Sequence, residues 1–84
     1  MRVHCRTNLD GAKRLTWPTE LPAVPQIGHR IRSTDKSPAG KVVELEVCGV
    51  TWICPDNHSD YIPVIELNLP ALWTVSEFEK IHGF

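Results

Sequence analysis

The sequence predicts a mainly β domain with one C-terminal helix, folded as an SH3-like small barrel or a strongly twisted antiparallel sheet. Apolar and polar residues alternate with a period of two in several short segments, which is typical of half-buried strands. Seven prolines and five glycines divide the chain into short pieces. A single capping motif near the C-terminus indicates the helix. An open α+β sheet is the alternative fold.

The size of the chain allows one small core. We expect all 84 residues to form one β-rich domain. Hydrophobic residues make up 42% of the chain and charged residues 23%, values that exclude a collagen-like or wholly disordered protein. No apolar run approaches the roughly 20 residues of a membrane span, and the N-terminal residues lack the apolar core of a signal peptide. These features predict a cytoplasmic protein without a membrane partner.

The first strand is predicted over residues 2–7, where basic and apolar side chains alternate. Residues 12–27 follow as an extended arm across the sheet, because three prolines within eight residues exclude a helix there. The expected anchors of this arm are Trp17, Leu21 and Val24. Trp17 is also the candidate interface aromatic, on the condition that its ring is exposed beside the prolines.

The middle of the chain predicts a second strand after Gly28 and a polar loop over 34–40. The strongest strand signal covers residues 41–54. Its apolar phase shifts by one residue at Cys48-Gly49, which predicts a β-bulge. After the bulge, we expect Val50 and Trp52 to point inward.

The third strand is expected to turn back through a loop at 55–60 into a partner strand at 61–67. Pro63 indicates that this partner strand lies at an edge or is interrupted. Thr74 and Glu77 fit a capping box and predict a helix over 75–82 that ends at Gly83. The expected buried stripe of that helix consists of Val75, Phe78 and Ile81.

Charge is distributed unevenly along the chain. Residues 1–41 carry eight basic and three acidic side chains, whereas residues 42–84 carry one basic and seven acidic. The split indicates either a bipolar surface or, as we favour, two halves that pair across the fold. Glu44, Glu46 and Glu66 are placed to attract arginines of neighbouring strands.

The candidate binding face is basic. If the first two strands are neighbours, one ridge collects five cationic or titratable side chains: Arg2, His4, Arg6, Arg30 and Arg32. Small barrels bind nucleic acid with such faces and stacking aromatics, so a nucleic-acid-binding barrel is an alternative function. The net charge of −1 and the lack of aromatics between the arginines weaken this alternative.

A zinc-stapled domain is a further alternative, since Cys48, Cys54 and His58 lie on one predicted hairpin. The paired C-x-x-C spacing of structural zinc sites is missing, so we expect no metal and no other cofactor. Cys54 and His58 lack a third group that would orient them for nucleophilic catalysis. We therefore predict no catalytic residue and no enzymatic activity.

Several segments together form a pattern that resembles a group of small hypothetical proteins of bacterial genomes, their mobile elements and phages. The segments are residues 3–10, 17–22, 24–28, 45–52 and 76–78. The resemblance implies a bacterial or phage cytosolic origin and carries no known activity.

These observations favour a non-enzymatic protein-binding or accessory module, such as a phage-encoded modulator of a host complex. A protein partner is expected rather than a small molecule. Monomer and homodimer are equally open, because a long hairpin with an unpaired edge favours self-pairing, whereas Pro63, Glu44 and Glu46 oppose it.

Overall fold

The computed structural model describes residues 1–54 and 60–84. It confirms a mainly β fold with one C-terminal helix, in which four strands form a strongly curled half-barrel. The elements are β1 (His4–Thr7), a short 3₁₀ helix (Ala12–Arg14), β2 (Arg30–Lys36), β3 (Val42–Ile53), β4 (Ile62–Asn68) and α1 (Val75–His82). The described helices include none that is long and apolar enough to cross a membrane.

The strand order of the sheet is β1-β4-β3-β2. β1 runs parallel to β4, with His4 opposite Val64, whereas the other two pairings are antiparallel. The first two strands therefore lie at opposite edges of the sheet, so the condition on which the single basic ridge depends is not met. The core lies on the concave side, where Val43, Leu45 and Ile65 are fully buried.

The proline-containing arm joins the two edge strands across the open side of the half-barrel. At the β2 edge, the backbone N–H of Thr34 donates to the carbonyl of Thr16 (2.8 Å). At the other edge, the N–H of Val3 donates to the carbonyl of Thr19 (2.9 Å). Trp17 is buried between these contacts, while Leu21 and Val24 are half-buried against the core. The predicted anchors of the arm are confirmed.

The predicted bulge in β3 is present, because the register with β4 shifts between Val47 and Gly49. Val50 then lies opposite Ile65 and packs against the core, as expected. Trp52 does not point into the core: half of its surface is exposed (50%). Trp52 is on the same face of β3 as Val50, which is the face that was predicted. It lies beyond the part of the hairpin that the arm and α1 cover, so this face is open to solvent at Trp52.

β4 is an interior strand, so the prediction that Pro63 marks an edge or an interruption is wrong. Pro63 faces Trp52 of β3, and pairing with β1 begins one residue later, at Val64. The strand therefore has only one neighbour where proline removes the N–H donor.

β2 extends to Lys36, which is further than predicted, and shortens the polar loop to a tight turn. The pairing with β3 is irregular between Arg32 and Lys36. The buried hydroxyl of Ser33 fills this irregularity: it accepts from the N–H of Val43 (3.0 Å) and donates to the carbonyl of Asp35 (2.7 Å). A side chain thus supplies the hydrogen bonds that the backbone ladder lacks here.

Helix α1 begins as predicted, with the Thr74 hydroxyl accepting from the N–H of Glu77 (3.2 Å). It ends at Gly83, whose φ of 76° is left-handed. The predicted buried stripe is only partly correct: Phe78 is buried, whereas Val75 and Ile81 are 50% and 40% exposed. The helix meets the core along a narrow face, so its second buried side chain lies four residues after Phe78, at His82.

Candidate functional site

The outer face of the sheet carries arginines that pair with glutamates of neighbouring strands. Arg30 Nη1 and Arg32 Nε donate to the two carboxylate oxygens of Glu44 (3.3 and 3.1 Å). Arg6 Nε donates to Glu66 Oε1 (3.1 Å). The expectation that basic and acidic halves of the chain pair across the fold is confirmed at Glu44 and Glu66. The hydrogen bonds from Arg32 and Arg30 also lower the pKa of Glu44, so its carboxylate stays ionised.

The five side chains of the predicted basic ridge are not contiguous. β3 and β4 separate Arg6 from Arg30 and Arg32, and both strands contribute a glutamate to the intervening surface. Arg2 lies outside the named strands, where it forms an isolated bridge with Glu20. The ridge was predicted from side-chain alternation, which gives the face of a residue but not the neighbour of its strand.

Cys48 and Cys54 are too far apart to share a metal ion. Cys48 lies on the bulge and Cys54 follows β3, a separation of six residues or about 20 Å along an extended strand. His58 lies outside the described residues. Residues 1–54 and 60–84 contain no group of three side chains that could hold a metal ion. Cys5 is half-buried, and burial raises the pKa of its thiol, which keeps it protonated.

Trp17 is not a surface residue, so the proposal that it anchors an interface is wrong. Its ring is 8% exposed, and its indole Nε1 donates to the carbonyl of Ala12 (3.0 Å). The other two tryptophans are the exposed ones, with Trp52 at 50% and Trp73 at 39%. Trp52 lies near the end of β3, and Trp73 lies in the turn between β4 and α1.

Trp52 belongs to a cluster of exposed side chains at the far end of the β3–β4 hairpin. We call this cluster the distal patch; its exposed members are Met1, Arg2, Trp52, Ile53 and Tyr61, and the half-buried Ile62 completes it. Trp52 and Ile53 are consecutive on β3 and therefore point to opposite sides of the ribbon. Apolar surface thus emerges on both sides of the hairpin end.

Two shallow depressions flank the distal patch. The first, of about 250 Å³, lies among Met1, Trp52 and Tyr61. The second, of about 640 Å³, is lined by His4 and Ile53. Two residues, Arg2 and Ile62, line both depressions.

The N-terminal segment of the patch is held in place by the arm. The N–H of Leu21 donates to the carbonyl of Met1 (2.9 Å), and the terminal ammonium donates to the carbonyl of Leu21 (2.8 Å). Glu20 lies 3.5 Å from the same ammonium. Backbone hydrogen bonds to the arm therefore fix the position of the N-terminal residues of the patch beside the end of the β3–β4 hairpin.

A second concave surface lies at the opposite end of β3. We call it the helix groove; it has a volume of about 320 Å³. Its walls are Arg30, Arg32, Val42, Glu44, Trp73 and Ile81, and its floor is Pro70, Phe78 and His82. The groove brings two predicted basic residues beside an exposed tryptophan, which no local motif in the sequence indicated.

The turn that leads into α1 presents Leu72 and Trp73 next to the groove. The N–H of Trp73 donates to the carbonyl of Pro70 (3.3 Å), and Leu72 adopts a φ of 77°. A positive φ at the third of the four turn residues, and at no other, is typical of a type II turn, in which glycine normally occupies that position. The Leu72 side chain is fully exposed.

The floor of the groove contains a buried imidazole. Burial lowers the pKa of His82, and the positive charge of Lys41 lowers it further. Its Nδ1 has no hydrogen-bond partner within the described parts of the chain. His82 is therefore neutral at physiological pH and contributes to packing through its contact with Phe78 (ring centroids 4.9 Å apart).

Comparison of the chain with protein-family models, with curated proteins and with solved structures finds no match in any of the three.

Proposed function

We propose that this chain is a non-enzymatic protein-binding module and that a partner protein binds at the distal patch. The observation that carries the proposal is the exposure of Trp52 (50%) and Tyr61 (65%) beside Arg2 at one end of the hairpin. Tryptophan, tyrosine and arginine are the residue types that dominate binding energy in protein interfaces. Large apolar side chains collected in one place, rather than scattered, mark such interfaces.

The shape of the patch supports a protein partner over a small molecule. Its two depressions are shallow, and they lie on opposite sides of the β3–β4 hairpin, so a partner protein is able to contact both sides at once. Arg2 borders both, so one guanidinium serves a polar contact on either side. Glu20 lines one depression and Asp60 the other, so the polar groups of the patch carry both signs of charge. We infer a partner with a concave apolar surface and a polar rim.

The charges on the sheet favour a protein partner over nucleic acid. Arg6, Arg30 and Arg32 already contact glutamate carboxylates, which neutralise much of the positive potential that a phosphate backbone requires. The sequence resemblance to small bacterial and phage proteins supports a partner in a cytoplasmic host complex. A modulator of this kind acts by occluding a surface and needs no catalytic group.

The proposal is tested by affinity capture from a lysate of the native host with three versions of the chain. These are the unmodified protein, the double variant Trp52→Ser with Tyr61→Ser, and the control Ile27→Ser, which removes a 72% exposed side chain outside the patch. We expect the same partner to be retained by the first and third and lost by the second, with all three equally stable. Identical capture by all three versions, or no capture at low or high salt, contradicts the proposal.

A further inference from the structure

We propose that the helix groove is a second binding site, which takes a short peptide segment carrying one carboxylate next to a bulky apolar side chain. The site does not depend on the distal patch: it lies at the other end of β3 and shares no lining residue with it.

The polar wall of the groove has an excess of positive charge. Two guanidinium groups share the single carboxylate of Glu44. Arg32 contacts it through Nε, and its side chain is 76% exposed. Its two Nη groups are therefore presented to solvent in the fork geometry that binds a carboxylate with two parallel hydrogen bonds.

The apolar side chains of the groove are Trp73 and Ile81, together with Val42, which lies two residues from Glu44 on the same face of β3. Val42, Trp73 and Ile81 are 44%, 39% and 40% exposed, although each is a large hydrophobic residue. They surround a volume of about 320 Å³, which is at the lower end of the range for ligand sites. A space of this size accommodates one or two side chains of a bound segment, and burial of a leucine-sized group stabilises binding by about 2 kcal/mol before entropic costs.

The balance of charge selects the occupant. The groove holds two cations and one anion, so a single carboxylate neutralises it. A nucleic acid brings one negative charge per nucleotide and meets Glu44 inside the groove and Glu46 beside Arg30 on the sheet. An anionic, partly apolar peptide matches both walls, whereas a polyanion matches only one.

The test is a titration of the ¹⁵N-labelled full chain, followed by NMR, with the acetylated and amidated pentapeptide Ala-Leu-Glu-Leu-Ala. We expect saturable shifts of the Trp73 indole and the Ile81 amide. The matched peptide with glutamine in place of glutamate is expected to bind at least about tenfold more weakly, as is the variant Arg32→Gln. The control Arg6→Gln removes an arginine from an equivalent glutamate pair outside the groove and should bind as the unmodified chain does.

Three outcomes overturn the inference. The first is no saturable shift at the Trp73 indole up to about 5 mM peptide. The second is equal binding of the glutamate and glutamine peptides. The third is tighter binding at the groove by a thymidine decanucleotide than by the acidic peptide. The double variant Trp52→Ser with Tyr61→Ser keeps the groove intact, so its titration separates a failure here from a failure of the distal patch.

Discussion

The ring of Phe84 occupies the space in which a side chain at Gly11 would begin: a Cβ built at Gly11 would overlap with Cγ of Phe84. Phe84 in turn packs against Phe78, with ring centroids 5.7 Å apart. The turn after β1 and the end of α1 are therefore fitted to each other across the fold.

This fit predicts that Gly11→Ala destabilises the protein by about 1–3 kcal/mol, because Phe84 must leave its contact with Phe78. Urea unfolding measures the change. The double variant with Phe84→Ala relieves the clash, so we expect it to be more stable than the sum of the two single changes indicates. Additive effects would show that the two positions do not touch.

The neutral state of His82 predicts a loss of stability in acid. Its pKa is lower in the folded protein than in the unfolded chain, so the unfolded chain takes up a proton first as the pH falls. This contribution is complete above the unfolded value of about 6.5 and is lost as the pH falls through the folded value. Urea midpoints between pH 8 and pH 5 measure it.

The matched variant for this prediction is His82→Phe, which keeps a ring against Phe78 and removes the titratable group. We expect its stability to change less over the same pH interval than that of the unmodified chain. An equal pH dependence in both proteins would assign the effect to other groups.

The backbone of Leu72 predicts a stabilising substitution. A left-handed φ costs a leucine roughly 1–2 kcal/mol, and its side chain, fully exposed, recovers none of this through packing. Leu72→Gly is therefore expected to raise the free energy of unfolding by about 1 kcal/mol, after allowance for the greater freedom of glycine in the unfolded chain.

The reverse change at Gly40 is the control. Its φ is 77° and a Cβ there meets no atom within 4 Å, so Gly40→Ala introduces backbone strain without a clash. We expect a loss of about 1 kcal/mol. A destabilising effect of Leu72→Gly would instead mean that the leucine contributes to the fold.

The different burial of Trp17 and Trp52 predicts that their substitution changes the stability of the protein to different extents. Trp17→Phe removes the buried donor to the carbonyl of Ala12 and shrinks the core, which should cost about 1–3 kcal/mol. Trp52→Phe alters a half-exposed ring and should change the free energy of unfolding by less than about 0.5 kcal/mol. Thermal melting of the two variants side by side distinguishes them, and similar losses would place Trp52 in the core.

The local features of the fold were predictable because their causes are local. The phase shift at Cys48-Gly49 reveals the bulge, since one extra residue reverses the alternation of side chains. Thr74 and Glu77 mark the start of α1 through a hydrogen bond within one turn of helix. Alternation likewise places Glu44 and Glu66 on exposed strand faces, although which arginine each one meets depends on the strand order.

The features that sequence reasoning missed depend on which elements are neighbours. Alternation assigns Arg6 and Arg32 to exposed faces, yet their distance depends on the strand order, which no residue pattern encodes. Pro63 predicted an edge strand, but proline is tolerated at this position of an interior strand because pairing with β1 begins only at the next residue, Val64. Both surfaces proposed for binding depend on such neighbours: the distal patch lies where the N-terminal residues meet the end of the hairpin, and the helix groove lies between α1 and the start of β3.

The parallel pairing of β1 with β4 joins residues that are 60 positions apart, such as His4 and Val64. At ribosomal speeds of about 5–20 residues per second, the partner of β1 is made roughly 3–12 s after β1 itself. Closure of the sheet is therefore delayed until nearly all of these residues have left the exit tunnel. During that interval the hydrogen-bonding groups of β1 that face β4 in the folded protein remain unpaired.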